Sequence, residues 1–493
     1  MPLITVCSHP RRSVSARFNP HRLSAGDLSP RHASKMANYR ALLPYFVWVF
    51  VLGLAGLIHA QDTPTCNAKS TCVNNCDRKA ECDPGGYGED YVVKTTCPLN
   101  VCCSKYGFCG TTEKYCGTKE VDRPSCPVEE SSSFKRVVGY YETWAMERAC
   151  NRFSPEQIPA GVYSHINLAF ASINPSTFEL VPAEKSDVDL YQRVVNLKAA
   201  DPHLKVFVAV GGTDFHDTGA TAGTFSDMAR SGEAQSKFID SVLKFMSTHN
   251  LDGIDLDWEY PAAKDRGGRD EDFANLPKLM KALRQGLKDY EISVTLPAIY
   301  RNLQHFDLKN IEPHVDFFNV MAYDFHGAWE QPTESGGPYL NSHTNLTAAK
   351  QGLDLLWRNN VNPDKVVLGL AFYGRGFRAS SSSCLRPGCT FDSGSEAQPC
   401  SGEVGSVLNS EVDDLVAWHG AKTTLDKDAA VKIVTWRDNN WLTYDDEESL
   451  RLKTDFARGQ CLGGVMVWAI SQDTENAKYS MALSRVAPRF SSS

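Results

Sequence analysis

The stretch LDGIDLDWEYP, Leu251–Pro261, places four carboxylates within eight residues of an otherwise largely apolar segment. Alternate side chains of a β-strand share a face. Asp255, Asp257 and Glu259 therefore point one way, while Ile254, Leu256 and Trp258 point the other. Asp252 is out of phase and supports the start of the strand. Seven further runs have strand character: RVVGYY (136–141), YSHINLAFASI (163–173), KVFVAVGG (205–212), EISVTLPAIY (291–300), VDFFNVMAYD (315–324), KVVLGLAFYG (365–374) and GGVMVWAI (463–470). Amphipathic stretches such as 236–249 and 273–290 lie between them. Eight buried strands alternating with helices predict an α/β fold, a (β/α)8 barrel, over residues 134–487. The interval before the last strand is too long for one crossover. It predicts a small α+β lobe inserted within about 376–460, carrying Cys384, Cys389 and Cys400.

In such a barrel the carboxylate row faces the interior and climbs toward the C-terminal mouth, where barrel enzymes do their chemistry. Three carboxylates at this spacing cannot all ionise cheaply in a dry site, so one takes up a proton and becomes a general acid. Glu259, outermost and on the longest side chain, is the natural donor, with Asp255 and Asp257 sharing charge or a proton beneath it. A calcium loop needs oxygen ligands at alternate positions and a glycine at the sixth, which strand alternation excludes. Phosphoryl transfer on magnesium lacks a glycine-rich cradle with its lysine. Acid–base work on a neutral substrate remains.

The chain has 493 residues, which predicts two or three domains. Its 51 basic and 59 acidic residues give a net charge of -8, which argues against a nucleic-acid partner. The 13 histidines show no HxxxH or HxH spacing, so neither a metal nor another cofactor is expected. Of 16 cysteines, ten fall between Cys66 and Cys126, a density that reads as a disulfide scaffold in an oxidising compartment. Setting Cys7 aside leaves an odd number, which predicts one cysteine free or bonded between chains. The apolar run ALLPYFVWVFVLGLAGLIHA (41–60), preceded by MANYR from Met36, reads as a signal peptide over 36–60 with an unstructured extension over 1–35. The alternative is a signal anchor, since the run is long enough to span a bilayer. Either way the remainder faces the lumen or the exterior, with no membrane partner. PVEESSS (127–133) is the linker between a Cys-rich module (62–126) and the barrel.

DGIDLDWEYP also resembles the DxxDxDxE signature of glycoside hydrolase family 18, the retaining chitinases. VGYYETW, LAFASI, MAYDFHGAWE, LGLAFYGRGF and GGVMVWAIS resemble the family's first, second, sixth, seventh and eighth strands, in that order. CLRPGC and the segment 444–469 are most similar to the fungal, killer-toxin-like class. The resemblance implies a substrate-assisted mechanism. Glu259 protonates the glycosidic oxygen and the substrate's own acetamide attacks the anomeric carbon, giving an oxazolinium ion. Asp257 orients the acetamide N–H, Asp255 holds Asp257, Tyr323 donates its phenol to the acetamide, and Asp324 hydrogen-bonds the distorted sugar. Trp468 floors the subsite, with Tyr140, Phe170 and Met321 nearby. Trp144 and Trp329 extend the groove, while Tyr373 and Arg375 contact the substrate or support the carboxylates. Trp258 is assigned to substrate binding as well. Two departures stand out: Ala209 where many members have Ser, and Thr213 where a Trp commonly follows the two glycines, removing one stacking plate.

CPLNVCCSKYGFCGTTEKYC (97–116), with Cys82 before it, is similar to the hevein-type chitin-binding domain. That likeness implies the pairs Cys82–Cys103, Cys97–Cys109 and Cys102–Cys116, and a sugar site of Ser104, Tyr106, Phe108 and Tyr115. Phe108 stands where Trp is frequent. Cys66, Cys72, Cys76 and Cys126 lie outside the pattern. Asn345 in NLT is a glycosylation acceptor in a secreted chain. The expectation is a monomeric secreted chitinase acting on chitin and chito-oligosaccharides. Its rivals are an endo-β-N-acetylglucosaminidase on N-glycans and a catalytically silent lectin.

Overall fold

The computed structural model describes residues 79–128, 133–217, 219–330, 337–418, 420–437 and 439–490. The signal segment, the upstream extension, Cys66, Cys72 and Cys76, and part of the linker lie outside the described residues. Among the described residues no helix is long and apolar enough to cross a membrane.

Seven parallel strands come first along the barrel: β1 (Arg136–Glu142), β2 (His165–Ile173), β3 (Lys205–Gly211), β4 (Gly253–Asp257), β5 (Glu291–Pro297), β6 (Phe317–Met321) and β7 (Val366–Ala371). Each pairs with its neighbour in sequence. The eighth barrel strand, β14 (Gly464–Trp468), lies between β7 and β1 and closes the ring. Helices α1 (Asp187–Asn196), α2 (Gly232–His249), α3 (Asp272–Gly286) and α4 (Leu346–Trp357) are among the crossovers. Ser231 caps α2 by accepting from the Ala234 N–H. Asn250, in the left-handed conformation at φ 54°, stops it. The chain then turns directly into β4. Gly253 is required there, because a Cβ would sit 2.5 Å from the Glu291 carbonyl and against the Phe207 ring.

Between β7 and β14 the chain builds an antiparallel sheet from β8 (Tyr373–Ala379), β9 (Phe391–Gly394), β10 (Ser406–Leu408), β11 (Lys422–Asp426), β12 (Val431–Trp436) and β13 (Asn440–Tyr444). Strand β8 pairs with β9, β10 and β13, and β12 joins β13 to β11. One helix, α5 (Asn409–Trp418), follows β10. Leu340, Phe377, Phe391 and Trp441 form the core of this lobe. The lobe begins with β8, so Tyr373 and Arg375 belong to its first strand. Cys384–Cys389 closes a loop within this part of the chain, while Cys150–Cys400 and Cys126–Cys461 tie it to segments after and before β1, the last across a separation of 335 residues. In the Cys-rich module Cys82–Cys103 and Cys102–Cys116 form, and Cys97 and Cys109 are also in disulfides. Among the described residues no cysteine is free.

At the exit from β13, Asp445 is fully buried and both its oxygens accept from Lys453 Nζ at 2.6 Å. Lys453 sits on the final crossover helix, α6 (Glu447–Gly459), which leads back to the barrel. Removing one partner of a buried pair leaves the other charge uncompensated. Lys453→Met should therefore cost about 3–5 kcal/mol in urea denaturation. A loss below ~1 kcal/mol would show that the pair is not what joins lobe and crossover.

Candidate active site

Strand alternation holds through β4. Asp255 and Asp257 point into the barrel, and Glu259 follows them at the mouth; all three are buried. Asp252 starts the strand by accepting from the Val206 N–H at 2.7 Å. On the opposite face Trp258 is buried and stacks on Phe225 at 5.3 Å between centroids. Trp258 is therefore outer packing rather than substrate surface, which corrects its assignment to the groove.

The three carboxylates receive different support. Asp255 is cradled by donors from three strands. Tyr140 Oη and Thr295 Oγ1 reach its Oδ2 at 2.6 and 3.3 Å, and Ser293 Oγ and Asn319 Nδ2 reach its Oδ1 at 2.6 and 3.0 Å. Burial raises its pKa while these four hydrogen bonds pull the other way. Asp257 Oδ1 has no hydrogen-bond partner among the described residues. Burial, then the charges of Glu259 and Asp255, push its pKa well above the carboxylate range. Burial also raises Glu259, opposed first by the Thr213 hydroxyl, which donates to Oε1 at 3.0 Å. Asp257 and Glu259 thus both hold a proton more tightly than an exposed carboxyl does, and their proximity makes them titrate as a pair.

Tyr323 and Asp324 follow β6. Burial, then the charge of Asp257, holds the Tyr323 phenol protonated. Asp324, at φ 55°, is gripped by Arg375, whose Nε and Nη2 donate to its two oxygens at 2.8 and 2.7 Å. Burial alone would raise Asp324, but the Arg375 grip overcomes it and holds the carboxyl well below its ordinary range. Arg375 thus supports a carboxylate. Its guanidinium also lies over Trp329 and Tyr373, at 5.2 and 5.1 Å.

Above the carboxylates lies a cleft of about 400 Å³. Trp468 stacks on Phe170 at 5.6 Å, and Phe170 on Trp144 at 6.2 Å. Tyr140, Met321, Tyr323, Asp324, Tyr373 and Arg375 complete the assigned lining. Trp144 is 42% exposed. Trp329, 53% exposed, is not in the lining, and the Arg375 guanidinium packs over its ring. The lining also contains Thr213, which the sequence marked only as a missing stacking plate, and Tyr260, Glu142 and Gln472, which sequence reasoning passed over. Gln472 and Ser471 donate to the buried Glu142 carboxylate, which also pairs with Arg148. Tyr260 adjoins Glu259 in sequence and was open to notice; the partners of Glu142 were not.

In the module Tyr106 is 64% exposed, whereas Ser104 is buried and its Oγ accepts from the Phe108 N–H at 3.1 Å. Phe108 and Tyr115 are half-buried. Asn345 caps α4, with Oδ1 accepting from the Thr347 N–H at 2.8 Å.

Comparison with known proteins agrees with this geometry. The profile described as "Glycosyl hydrolases family 18" matches residues 136–473, and "Chitin recognition protein" matches residues 86–126. The chain belongs to glycosyl hydrolase family 18 and carries a chitin-recognition domain before the barrel. It is 29% identical over 414 residues to the secreted chitinase LysM12 of Penicillium expansum, covering 77% of this chain and 27% of that protein. It is 30% identical over 358 residues to the killer toxin subunits alpha/beta of Kluyveromyces lactis, covering 68% of this chain and 30% of that one. The chain thus spans under a third of the length of these fungal relatives. A solved structure, the Group IV chitinase of Ostrinia furnacalis in complex with allosamidin, superposes with a TM-score of 0.64 at 28% identity. That superposition covers 71% of this chain and 97% of the other.

The raised proton affinity of Asp257 has a consequence for stability. Below the ordinary carboxylate range the side chain is protonated in both folded and unfolded chains, so it carries no penalty there. As pH rises the unfolded chain ionises it first, and the fold loses stability relative to a neutral side chain. Asp257→Asn should therefore melt higher than the parent at pH 7–8, with the difference vanishing near pH 3.5. Equal melting temperatures at neutral pH would show that Asp257 ionises freely in the fold.

Proposed function

We propose that the protein is a secreted chitinase that hydrolyses β-1,4-N-acetylglucosaminide bonds with retention, through an oxazolinium ion. One observation carries this reading: three inward carboxylates whose hydrogen-bond support falls from four donors at Asp255 to none on Asp257 Oδ1. A proton held at Asp257 keeps that side chain able to turn toward Glu259 without burying a further charge. Glu259, protonated, delivers its proton to the glycosidic oxygen as the bond to the anomeric carbon breaks. The substrate's acetamide oxygen forms the new bond to that carbon, and Asp257 accepts the acetamide N–H. The Tyr323 phenol, held protonated, donates to the acetamide. Glu259 then takes a proton from water, which opens the oxazolinium ion on the face the leaving group vacated. Trp468, Phe170 and Trp144 supply flat apolar plates for pyranose rings while leaving ring edges to polar groups.

Tyr106, with Ser104, Phe108 and Tyr115, forms the chitin site of the module, and Asn345 is the glycan acceptor. Tethering such a binder to the barrel raises the catalyst's concentration on an insoluble polymer. Secretion is supported by the disulfides of the Cys-rich module and of the barrel with its lobe, which persist in an oxidising compartment.

Products from chitohexaose, resolved by anomer at early times, test the chemistry. Dimers to tetramers rich in the β-anomer are expected from the parent. Glu259→Gln should lower kcat by about 10²–10⁴-fold while oligomer binding persists. Binding without cleavage by the parent chain would replace the hydrolase reading by a lectin. Tyr106→Ala should weaken retention on solid chitin far more than cleavage of soluble oligomers. Equal losses on both would refute a separate binding module.

A further inference from the structure

Thr213 occupies a position fixed from two sides. Gly211 and Gly212 both have positive φ, 110° and 81°. A Cβ on Gly211 would lie 2.0 Å from the Asp257 carbonyl, and the Gly212 N–H donates to that carbonyl at 3.0 Å. The chain is thereby pressed against the end of β4. Immediately below, the buried ring of His216 contacts the Gly212 carbonyl through Nδ1 at 2.7 Å and packs on Phe225. Thr213 opens the short turn of helix between these anchors, with its side chain in the cleft and its hydroxyl 3.0 Å from Glu259 Oε1.

We propose that Thr213 is a positioning residue for the acid step, its hydroxyl orienting Glu259 and favouring the ionised form of that acid. The inference rests on the assignment of Glu259 as general acid. A hydroxyl donating to an ionised carboxylate makes a charge-assisted hydrogen bond, stronger than the one it makes to the protonated acid. It therefore stabilises the form that Glu259 adopts once the proton has left. The other groups facing Glu259 divide in sign. Asp257 below it and Asp324 beyond β6 disfavour its charge, whereas Arg266 and the Tyr260 hydroxyl favour it. The Tyr323 phenol also faces the site and stays neutral. The hydrogen bond from Arg266 runs to the Glu259 main-chain carbonyl, at 3.4 Å. Thr213 reaches the carboxylate itself and leads the forces that oppose its burial. A buried acid without that opposition holds its proton too tightly to release it efficiently.

The test compares the parent chain with Thr213→Val and Thr213→Ser. Thr213 is exposed in the cleft, so neither change disturbs the core. Glu259 is titrated by infrared difference spectroscopy against Glu259→Gln, and pH–rate profiles are recorded on a soluble chito-oligosaccharide. In Thr213→Val the Glu259 midpoint and the descending limb of kcat/KM should both move to higher pH, and Thr213→Ser should restore both. An unchanged midpoint in the Val variant, or an equal shift in the Ser variant, overturns the role of the hydroxyl. A shifted midpoint with no cleavage by the parent upholds the hydrogen bond and sinks the hydrolase reading instead.

Discussion

The cost of burying three like charges in one barrel interior governs the rest of this structure. Each carboxylate loses the water that would stabilise its charge, and each neighbour makes ionisation harder. The fold meets that cost unequally. Asp255 receives hydroxyl and amide donors from β1, β5 and β6, so three strands must hold their register for one side chain. Glu259 receives a hydroxyl from the loop after β3. Asp257, between them, has one oxygen with no hydrogen-bond partner among the described residues. Uneven support separates the proton affinities of three chemically similar groups, and that separation makes distinct roles available.

The lobe inserted before β14 is part of the same arrangement. Its first strand, β8, leaves the barrel carrying Tyr373 and Arg375 straight to the cleft. Arg375 satisfies both oxygens of Asp324, so this fourth carboxylate is held well below its ordinary pKa range while burial and like charge push Asp257 above it. The His343 ring behind it is 3.4 Å away, and burial keeps that ring neutral. Covalent and ionic ties from Cys150–Cys400 and Asp445–Lys453 hold the elements on either side of Arg375 in place.

Much of this was legible from local pattern. Period-two alternation located β4 and its inward face, and eight runs of similar character announced the barrel. Parity also placed Trp258 outside; treating it as a sugar contact ignored the geometry that located the acids. Ser293, Thr295 and Asn319 were not legible, because each is an ordinary strand residue until the ring closes around Asp255. The Cys126–Cys461 link, across a sequence separation of 335, left no spacing to read. At position 213 the sequence drew attention to a missing ring, whereas the side chain present contributes a hydroxyl to a carboxylate distant in sequence.

On the proposed reading, a threonine at 213 changes what substrate binding does to the acid. Thr213 is exposed in the cleft, so water competes for its hydroxyl and screens the hydrogen bond to Glu259. In the proposed complex a sugar stacked on Trp468 and Trp144 expels that water. Expulsion increases the desolvation that keeps Glu259 protonated, and it also strengthens the hydrogen bond that favours the departed proton. The two effects grow together, so the acid need not become inert as the site dries. A stacking indole at this position would have increased the first without supplying the second.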